Sequence, residues 1–208
     1  MKLFDLDGTL LDSNGIWEEI DLRFLEKRGI PWSREYHEGV IHAIFPVAAR
    51  FTKEFCRLAE SEEEIMAEWL EMAYDAYAHR LPAKEGAAEY LAACAARGER
   101  LALYTSAEPS LAKAALARFG WDRLLRPLVF AQELGMTKGT PGAFAAAARA
   151  LGTPPEEIEF FDDSPVACRA AKEAGCRVTG VHDRLFAAQE GEMRALCDRY
   201  IRSFRELL

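Results

Sequence analysis

Short apolar runs alternate with stretches of helical periodicity along most of the chain. Each run has the length and composition of a buried β-strand. The runs occupy residues 2–6, 101–104, 128–130, 159–161, 178–181 and 200–201. The helical stretches between them occupy residues 85–96, 111–119, 140–152 and 166–174. Strands that alternate with helices predict a parallel, doubly wound sheet with right-handed crossovers, which is a Rossmann-like α/β fold.

The stretch from about residue 14 to residue 81 carries only helical patterns. The first helix is indicated by one shared face that comprises Ile16, Ile20 and Phe24. A second helix is predicted between residues 47 and 59. A third begins at a capping box formed by Ser61 and Glu64. Its apolar stripe comprises Ile65, Trp69, Met72 and Ala76.

The length of the chain suits one α/β core that carries a small insert. The protein has 208 residues and a mass of 23.3 kDa. A chain of this size buries roughly 70% of the surface of its unfolded state. We therefore expect a discontinuous α/β core at residues 1–13 and 82–208, interrupted by an all-α helical domain at residues 14–81.

Composition excludes several classes of partner. The net charge of −8 argues against a nucleic-acid-binding face and against adhesion to anionic membranes. Five cysteines with no C-x-x-C pair predict free thiols in a reducing cytoplasm. The histidines lack the spacing of a zinc site and are predicted to be structural or solvated; they are His37, His42, His79 and His182. We expect a cytoplasmic monomer or small homo-oligomer.

Candidate chemistry begins where the first strand ends. Active sites of doubly wound sheets lie beyond the carboxyl ends of the strands. There, Asp5 and Asp7 are separated by one residue, so their side chains would share a face of an extended strand. Two carboxylates this close repel each other, and a divalent cation relieves the repulsion. An oxygen-only site suits Mg²⁺. Asp12 and Ser13, further along, are interpreted as helix caps.

The segment D-L-D-G-T-L-L-D-S, from Asp5 to Ser13, resembles the first motif of the haloacid dehalogenase superfamily, on its phosphatase and β-phosphoglucomutase-like side. Three further motifs follow in the family's order, at Thr105 and Ser106, at Lys138, and at Asp162 and Asp163. The resemblance covers the whole predicted core. It also implies that the helical insert between the first two motifs is a cap domain.

The resemblance implies a role for each carboxylate. Asp5 would be the nucleophile that forms an aspartyl-phosphate. Asp7 would act as general acid and then general base, and its backbone carbonyl would help to hold the metal. Mg²⁺ would bridge Asp5, Asp163 and a phosphate oxygen. Asp162 would be an indirect ligand of the metal.

Three residues would bind the phosphoryl group in this scheme. Thr105 and Ser106 would donate hydrogen bonds to it, and Lys138 would supply a positive charge. In one departure from the family pattern, Gly139 follows the lysine where proline is common, and the proline stands at Pro141.

Substrate specificity is expected to come from the helical insert, because the motif residues touch only phosphate and metal. The candidates are Trp17, Glu18, Arg50 and Lys53. The competing interpretation places Trp17 in the core and the three charged residues on a solvated face. Closure of the cap would exclude water from the site.

These residues predict a Mg²⁺-dependent phosphatase of the phosphoric monoester class that acts on a small phosphorylated metabolite, of the sugar phosphate or phosphoglycolate type. A phosphomutase of the β-phosphoglucomutase type shares the same motifs and is the alternative enzyme. A 2-haloacid dehalogenase is disfavoured, because its chemistry needs neither a metal nor an acid at Asp7. The non-enzyme alternative is a regulatory or binding protein on the same fold, although every motif residue is present.

Overall fold

The computed structural model describes residues 1–40 and 45–208. His42 lies outside the described residues. The chain divides into two compact units, which are described separately: a core unit, Met1–Asn14 and Ala78–Leu208, and a helical unit, Gly15–Tyr77. No helix among the described residues combines the length and the apolar character that a membrane span requires.

Six parallel strands form the sheet of the core unit. They are β1 (Lys2–Phe4), β2 (Leu101–Thr105), β3 (Leu125–Phe130), β4 (Glu159–Asp162), β5 (Arg177–Val181) and β6 (Arg199–Ile201). Their order across the sheet is β3-β2-β1-β4-β5-β6. The predicted fold class, a Rossmann-like doubly wound parallel sheet, is confirmed.

Five α-helices connect these strands in the core unit. They are α5 (Ala87–Ala96), α6 (Pro109–Phe119), α7 (Ala143–Leu151), α8 (Pro165–Glu173) and α9 (Glu190–Leu196), so numbered because four helices of the helical unit precede them. The start predicted at Thr140 for α7 is wrong. The Thr140 hydroxyl instead closes a turn with the backbone N–H of Thr137 at 3.1 Å, and the helix begins after Gly142.

Side chains of the central strands fill both faces of the sheet. Because successive strand residues point to opposite faces, neighbouring positions bury different clusters. On one face Phe4 stacks on Phe161 with ring centroids 4.6 Å apart. On the other, Leu3 and Phe160 join a cluster with Phe144 from α7. The sheet is thus covered on both sides, which leaves its strand ends for chemistry.

The helical unit contains α1 (Ile16–Lys27), α2 (Arg34–Val40), α3 (Phe45–Cys56) and α4 (Glu62–Asp75), and a π-helical turn, Ala76–Arg80, follows α4. The predicted capping box between Ser61 and Glu64 is confirmed. Phe24 of α1 packs edge-on against Trp69 of α4, with centroids 5.6 Å apart. The interpretation of Trp17 as a core residue is wrong, because 41% of its surface is exposed.

Candidate active site

The order of the strands creates a crevice at the carboxyl ends of β1 and β4. The chain runs outward from β1 to β3 on one side and then crosses to β4 on the other side. Open α/β sheets bind their ligands at such a switch point. The register pairs Phe4 with Phe161, and the backbone N–H of Asp5 donates to the Phe161 carbonyl at 2.9 Å. Asp5 and Asp162 therefore leave the sheet side by side.

Three buried carboxylates meet in this crevice. Asp5, Asp162 and Asp163 each place one carboxylate oxygen within 4.8 Å of the others. Burial raises the pKa of Asp5 and of Asp163, and the neighbouring carboxylates raise both further. A bound cation would lower the cost of keeping these groups ionised. The donors are all hard oxygens, so the cluster fits the predicted Mg²⁺.

The Lys138 ammonium group lies between two of these carboxylates. Its Nζ donates to Asp5 Oδ1 and, at 2.8 Å, to Asp162 Oδ2. Burial disfavours the charged amine, but Asp162 and Asp5 together raise the pKa of Lys138. The rings of Tyr104 and Phe160 flank the amine, with centroids 5.7 and 5.5 Å from Nζ. Lys138 is thus held as a cation beside Asp5, despite Gly139 in the place of the usual proline.

Asp162 and Asp163 have different partners although they are adjacent. Asp162 Oδ1 accepts the backbone N–H of Ser164 at 2.7 Å, and its other oxygen accepts from Lys138. Both oxygens of Asp162 are therefore engaged by protein donors. Asp163 accepts from the Thr9 hydroxyl at 3.2 Å and from the Asn14 amide at 2.7 Å. Neither contact was predicted from the sequence.

Asp7 is oriented by a serine. The Ser13 hydroxyl donates to Asp7 Oδ1 at 2.7 Å and accepts the backbone N–H of Gly8 at 3.3 Å. Ser13 is buried, and α1 begins three residues later with Gly15 as its N-cap. The interpretation of Ser13 as a helix cap is therefore wrong, because the hydroxyl is used inside the turn that carries Asp7.

The predicted phosphate-binding residues line the same cavity as the carboxylates. Thr105 is buried at the end of β2, and its hydroxyl accepts the backbone N–H of Ala107 at 3.0 Å. Ser106 is exposed. Side chains of all four motifs face the cavity, whose lining includes Asp5, Asp7, Asn14, Thr105, Ser106 and Lys138. The four motifs, spread over more than 150 residues of sequence, therefore converge on one site.

The four specificity candidates belong to the helical unit. Trp17 and Glu18 are exposed near the start of α1. Arg50 and Lys53 lie on α3, where the Arg50 guanidinium pairs with Glu62 at 3.3 Å. A contact between any of these four residues and substrate remains a prediction.

Gly8 permits the close approach of Asn14 and Asp163. It has a φ of +76°, and a Cβ placed on it would lie 2.2 Å from Asn14 Nδ2 and 2.2 Å from Asp163 Oδ2. We expect Gly8→Ala to lower the free energy of unfolding by more than the roughly 1–2 kcal/mol of left-handed strain. It should also weaken Mg²⁺ binding by about 10- to 100-fold, because Asp163 must move. Denaturant unfolding and calorimetric titration with Mg²⁺ measure the two effects.

The matched control for this substitution is Gly98→Ala. Gly98 has a φ of +72°, but an added Cβ there meets nothing within 4 Å. It should therefore show the backbone strain alone and bind Mg²⁺ as the parent protein does. Equal Mg²⁺ affinity in the two variants would contradict the role given to Gly8.

Comparison with known proteins places this site in a family. Residues 3–175 match the haloacid dehalogenase-like hydrolases. The chain belongs to this family.

Curated relatives and a solved structure extend the match. Validoxylamine A 7'-phosphate phosphatase from Streptomyces hygroscopicus subsp. limoneus is 28% identical, over 100% of this chain and 95% of its own length. Hexitol phosphatase A from Escherichia coli is 30% identical over 86% of this chain and 82% of its own. The structure of CbbY from Rhodobacter sphaeroides in complex with phosphate is 25% identical, covers 99% of this chain and 95% of that one, and has a TM-score of 0.79.

The predicted enzyme class is confirmed by these matches. As a haloacid dehalogenase-like hydrolase with phosphatases among its relatives, the protein is a phosphoric monoester hydrolase. The interpretation as a regulatory or binding protein is correspondingly disfavoured.

Proposed function

We propose that this haloacid dehalogenase-like hydrolase is a Mg²⁺-dependent phosphatase of a small phosphorylated metabolite. The observation that carries the proposal is the buried cluster in which Lys138 bridges Asp5 and Asp162 while Asp163 lies within 4.8 Å. Relatives named for phosphorylated validoxylamine and for hexitol phosphates favour a polyhydroxylated substrate of the sugar phosphate type.

Asp5 is the proposed nucleophile. A carboxylate oxygen of Asp5 attacks phosphorus, the bond to the leaving oxygen breaks, and an aspartyl-phosphate results. Asp7 protonates the leaving oxygen as the bond breaks. It then accepts a proton from the water that attacks the aspartyl-phosphate, which releases phosphate and restores Asp5. The hydrogen bond from Ser13 to Asp7 Oδ1 orients the carboxyl group for both transfers.

Asp5 and Asp163 are the proposed direct ligands of Mg²⁺, with the backbone carbonyl of Asp7 completing the protein's share. Asp162 takes part indirectly through Lys138. When bound, Mg²⁺ neutralises the charge of the transferring phosphoryl group and orients it for in-line displacement.

Lys138, Thr105 and Ser106 are the proposed phosphate-binding residues. Lys138 lies beside the nucleophilic carboxylate and so provides a cation where charge on the phosphoryl oxygens must be compensated. Thr105 already accepts a backbone N–H, which orients its hydroxyl hydrogen as a donor. A phosphate between these groups would contact three donors, two at the end of β2 and one in the loop between β3 and α7.

The helical unit is the proposed cap, and its role is to select the part of the substrate that the core cannot reach. Trp17, Glu18, Arg50 and Lys53 are the proposed contacts, with residues 14–81 acting as the cap domain on the core of residues 1–13 and 82–208. An exposed tryptophan supports this role, because its ring offers an apolar face to a substrate.

Phosphate release from a panel of sugar phosphates, polyol phosphates and phosphoglycolate tests the proposal. We expect release with Mg²⁺, a loss of at least about 100-fold after chelation, and recovery when Mg²⁺ is restored. Activity that survives chelation would contradict the metal requirement. An isomerised sugar phosphate, formed only with a bisphosphate present, would favour the phosphomutase instead.

A further inference from the structure

One chain of buried and partly buried polar side chains extends from the candidate site without being used in the proposed reaction. Asn14, the single asparagine of the chain, donates from Nδ2 to Asp163 Oδ2 at 2.7 Å. Burial raises the pKa of Asp183, but Lys84, the backbone N–H of Leu185 and the nearby Asn14 amide together hold it below its usual range. Asp183 is buried and pairs with Lys84 Nζ at 2.5 Å. The chain of contacts thus runs from Asp163 through Asn14 to a buried ion pair.

The chemistry of the amide fixes the direction of these contacts. Both neighbours of the Asn14 side chain are carboxylates, which accept hydrogen bonds when ionised. The NH₂ group, and not the amide oxygen, therefore faces Asp163, as the hydrogen bond from Nδ2 shows. An amide donor held in this way restrains the rotation of the Asp163 carboxylate and lowers the cost of its charge.

The ion pair anchors the amide. Lys84 Nζ also donates to the carbonyl of His182 at 3.1 Å, and the other oxygen of Asp183 accepts the backbone N–H of Leu185 at 2.9 Å. Asp183 is thereby held by a side chain and by a backbone donor. Because Lys84 offsets its charge, Asp183 can lie near Asp163 without leaving a further unpaired carboxylate at the cluster.

The geometry points to Asn14 as a positioning residue that orients Asp163 for Mg²⁺, with the Lys84–Asp183 pair as its anchor. This inference rests on the proposed function, because Asp163 is there a direct ligand. Residues that orient metal ligands typically change metal affinity by about 10- to 100-fold when they are replaced. The inference adds three residues to the site that no motif contains.

Calorimetric titration of the purified protein with Mg²⁺ tests the inference. We expect Asn14→Leu, which keeps the size of the side chain but removes its donors, to weaken Mg²⁺ binding by about 10- to 100-fold. The charge-neutral double variant Lys84→Met with Asp183→Asn loosens the anchor and should weaken binding by less, but by at least about threefold. If Asn14→Leu does not fold, the Mg²⁺ affinity of this double variant tests the inference in its place.

The matched control removes a similar ion pair at the opposite ends of the strands. Lys2 and Glu159 are 2.6 Å apart, and the Lys2 side chain is 15% exposed against 16% for Lys84. The double variant Lys2→Met with Glu159→Gln should bind Mg²⁺ like the parent protein. Equal Mg²⁺ affinity in the two double variants would overturn the anchor. Parent affinity in a folded Asn14→Leu variant would overturn the positioning role.

Kinetics separate positioning from substrate contact. Asn14→Leu should raise the Mg²⁺ concentration that gives half-maximal phosphate release, and change kcat at saturating Mg²⁺ much less. A raised KM for substrate with unchanged Mg²⁺ affinity would overturn the inference and make Asn14 a substrate contact. A parent protein that binds no Mg²⁺ would refute the proposed function itself, and the inference with it.

Discussion

Asp5→Asn is expected to abolish phosphate release, with kcat lowered by roughly 10⁴- to 10⁶-fold, the scale seen when a covalent nucleophile is removed. The amide has nearly the same size and still accepts a hydrogen bond from Lys138. It cannot form the aspartyl-phosphate, and it removes one of the two proposed direct ligands of Mg²⁺. Initial rates with the best substrate of the panel measure the effect.

Asp12→Asn is the matched control for this experiment. It makes the same chemical change in the same loop, but Asp12 is exposed. The control should keep kcat within about twofold, as expected for a surface substitution away from the site. Burial keeps the pKa of Asp5 above its usual range, so the substitution also removes a charge that is costly to bury, and Asp5→Asn should not destabilise the fold. An Asp5→Asn variant that keeps even a tenth of the parental rate would refute the nucleophilic role.

The strands could be predicted because parallel strands buried on both faces form continuous apolar runs. All five residues of β2 are buried, for example. The helices α2 and α9 were not predicted, since each buries too few side chains to produce a stripe: α9 buries only Met193. The start of α7 was misplaced because Gly142 adopts a φ of +84°, which ends the preceding turn instead of continuing a helix.

The residues at the strand ends could be predicted for the same reason that the strands could. A carboxylate directly after an apolar run, such as Asp5 or Asp162, has a known place in the fold, whereas Lys138 lies in the loop beyond β3 and could be assigned only from the family motif. Neither Asn14 nor Lys84 directly follows an apolar run. Their partners lie 149 and 99 residues away along the chain, so nothing in the neighbouring sequence indicates these contacts.

The competing interpretation of Trp17 as a core residue fails because Trp17 follows the buried Ile16 directly. A helix turns by about 100° per residue, so the next side chain points away from the buried stripe.

Part of the acidic excess of the chain lies in the candidate site. A net charge of −8 argues against nucleic acid and anionic membranes as partners. Three buried carboxylates against the one ammonium of Lys138 leave an excess of two negative charges in the described cluster. A divalent cation cancels that excess, and the site can then receive a phosphate. The same acidic composition therefore argues against nucleic acid as a partner and is compatible with a small phosphorylated substrate.

Lys138→Met is expected to lower the free energy of unfolding by about 3–5 kcal/mol, the usual cost of removing one partner from a buried ion pair. It should also lower kcat by roughly 10²- to 10³-fold, because a preorganised cation beside the transferring phosphoryl group is lost. Both carboxylates, on Asp5 and Asp162, would be left without their counterion. Denaturant unfolding and phosphate release measure the two losses separately.

Conditions that add positive charge to the carboxylate cluster, or protonate one of its carboxylates, should reduce the loss of folding stability in Lys138→Met. The proposed Mg²⁺ site exists only in the folded protein, so the difference in unfolding free energy between Lys138→Met and the parent should shrink when Mg²⁺ replaces chelator. Lys138 opposes the rise in the pKa of Asp5 that burial causes, so the variant should hold Asp5 protonated to a higher pH. A carboxyl group whose folded pKa is raised costs stability increasingly as the pH rises from its unfolded value of about 4 to the folded pKa, so the deficit should shrink as the pH falls towards 4.

Lys2→Met is the control that separates the general effect of losing a largely buried lysine from the effect of losing one at the candidate active site. Lys2 is also a largely buried lysine in an ion pair, at 2.6 Å from Glu159, but it lies at the amino ends of the strands. Its loss should reduce stability without a dependence on Mg²⁺, and it should leave kcat within about twofold of the parent, since no substrate or metal group lies near it. If Lys138→Met matches this control in kcat, then the lysine is only a structural partner of Asp5 and Asp162, and the phosphoryl group is bound without it.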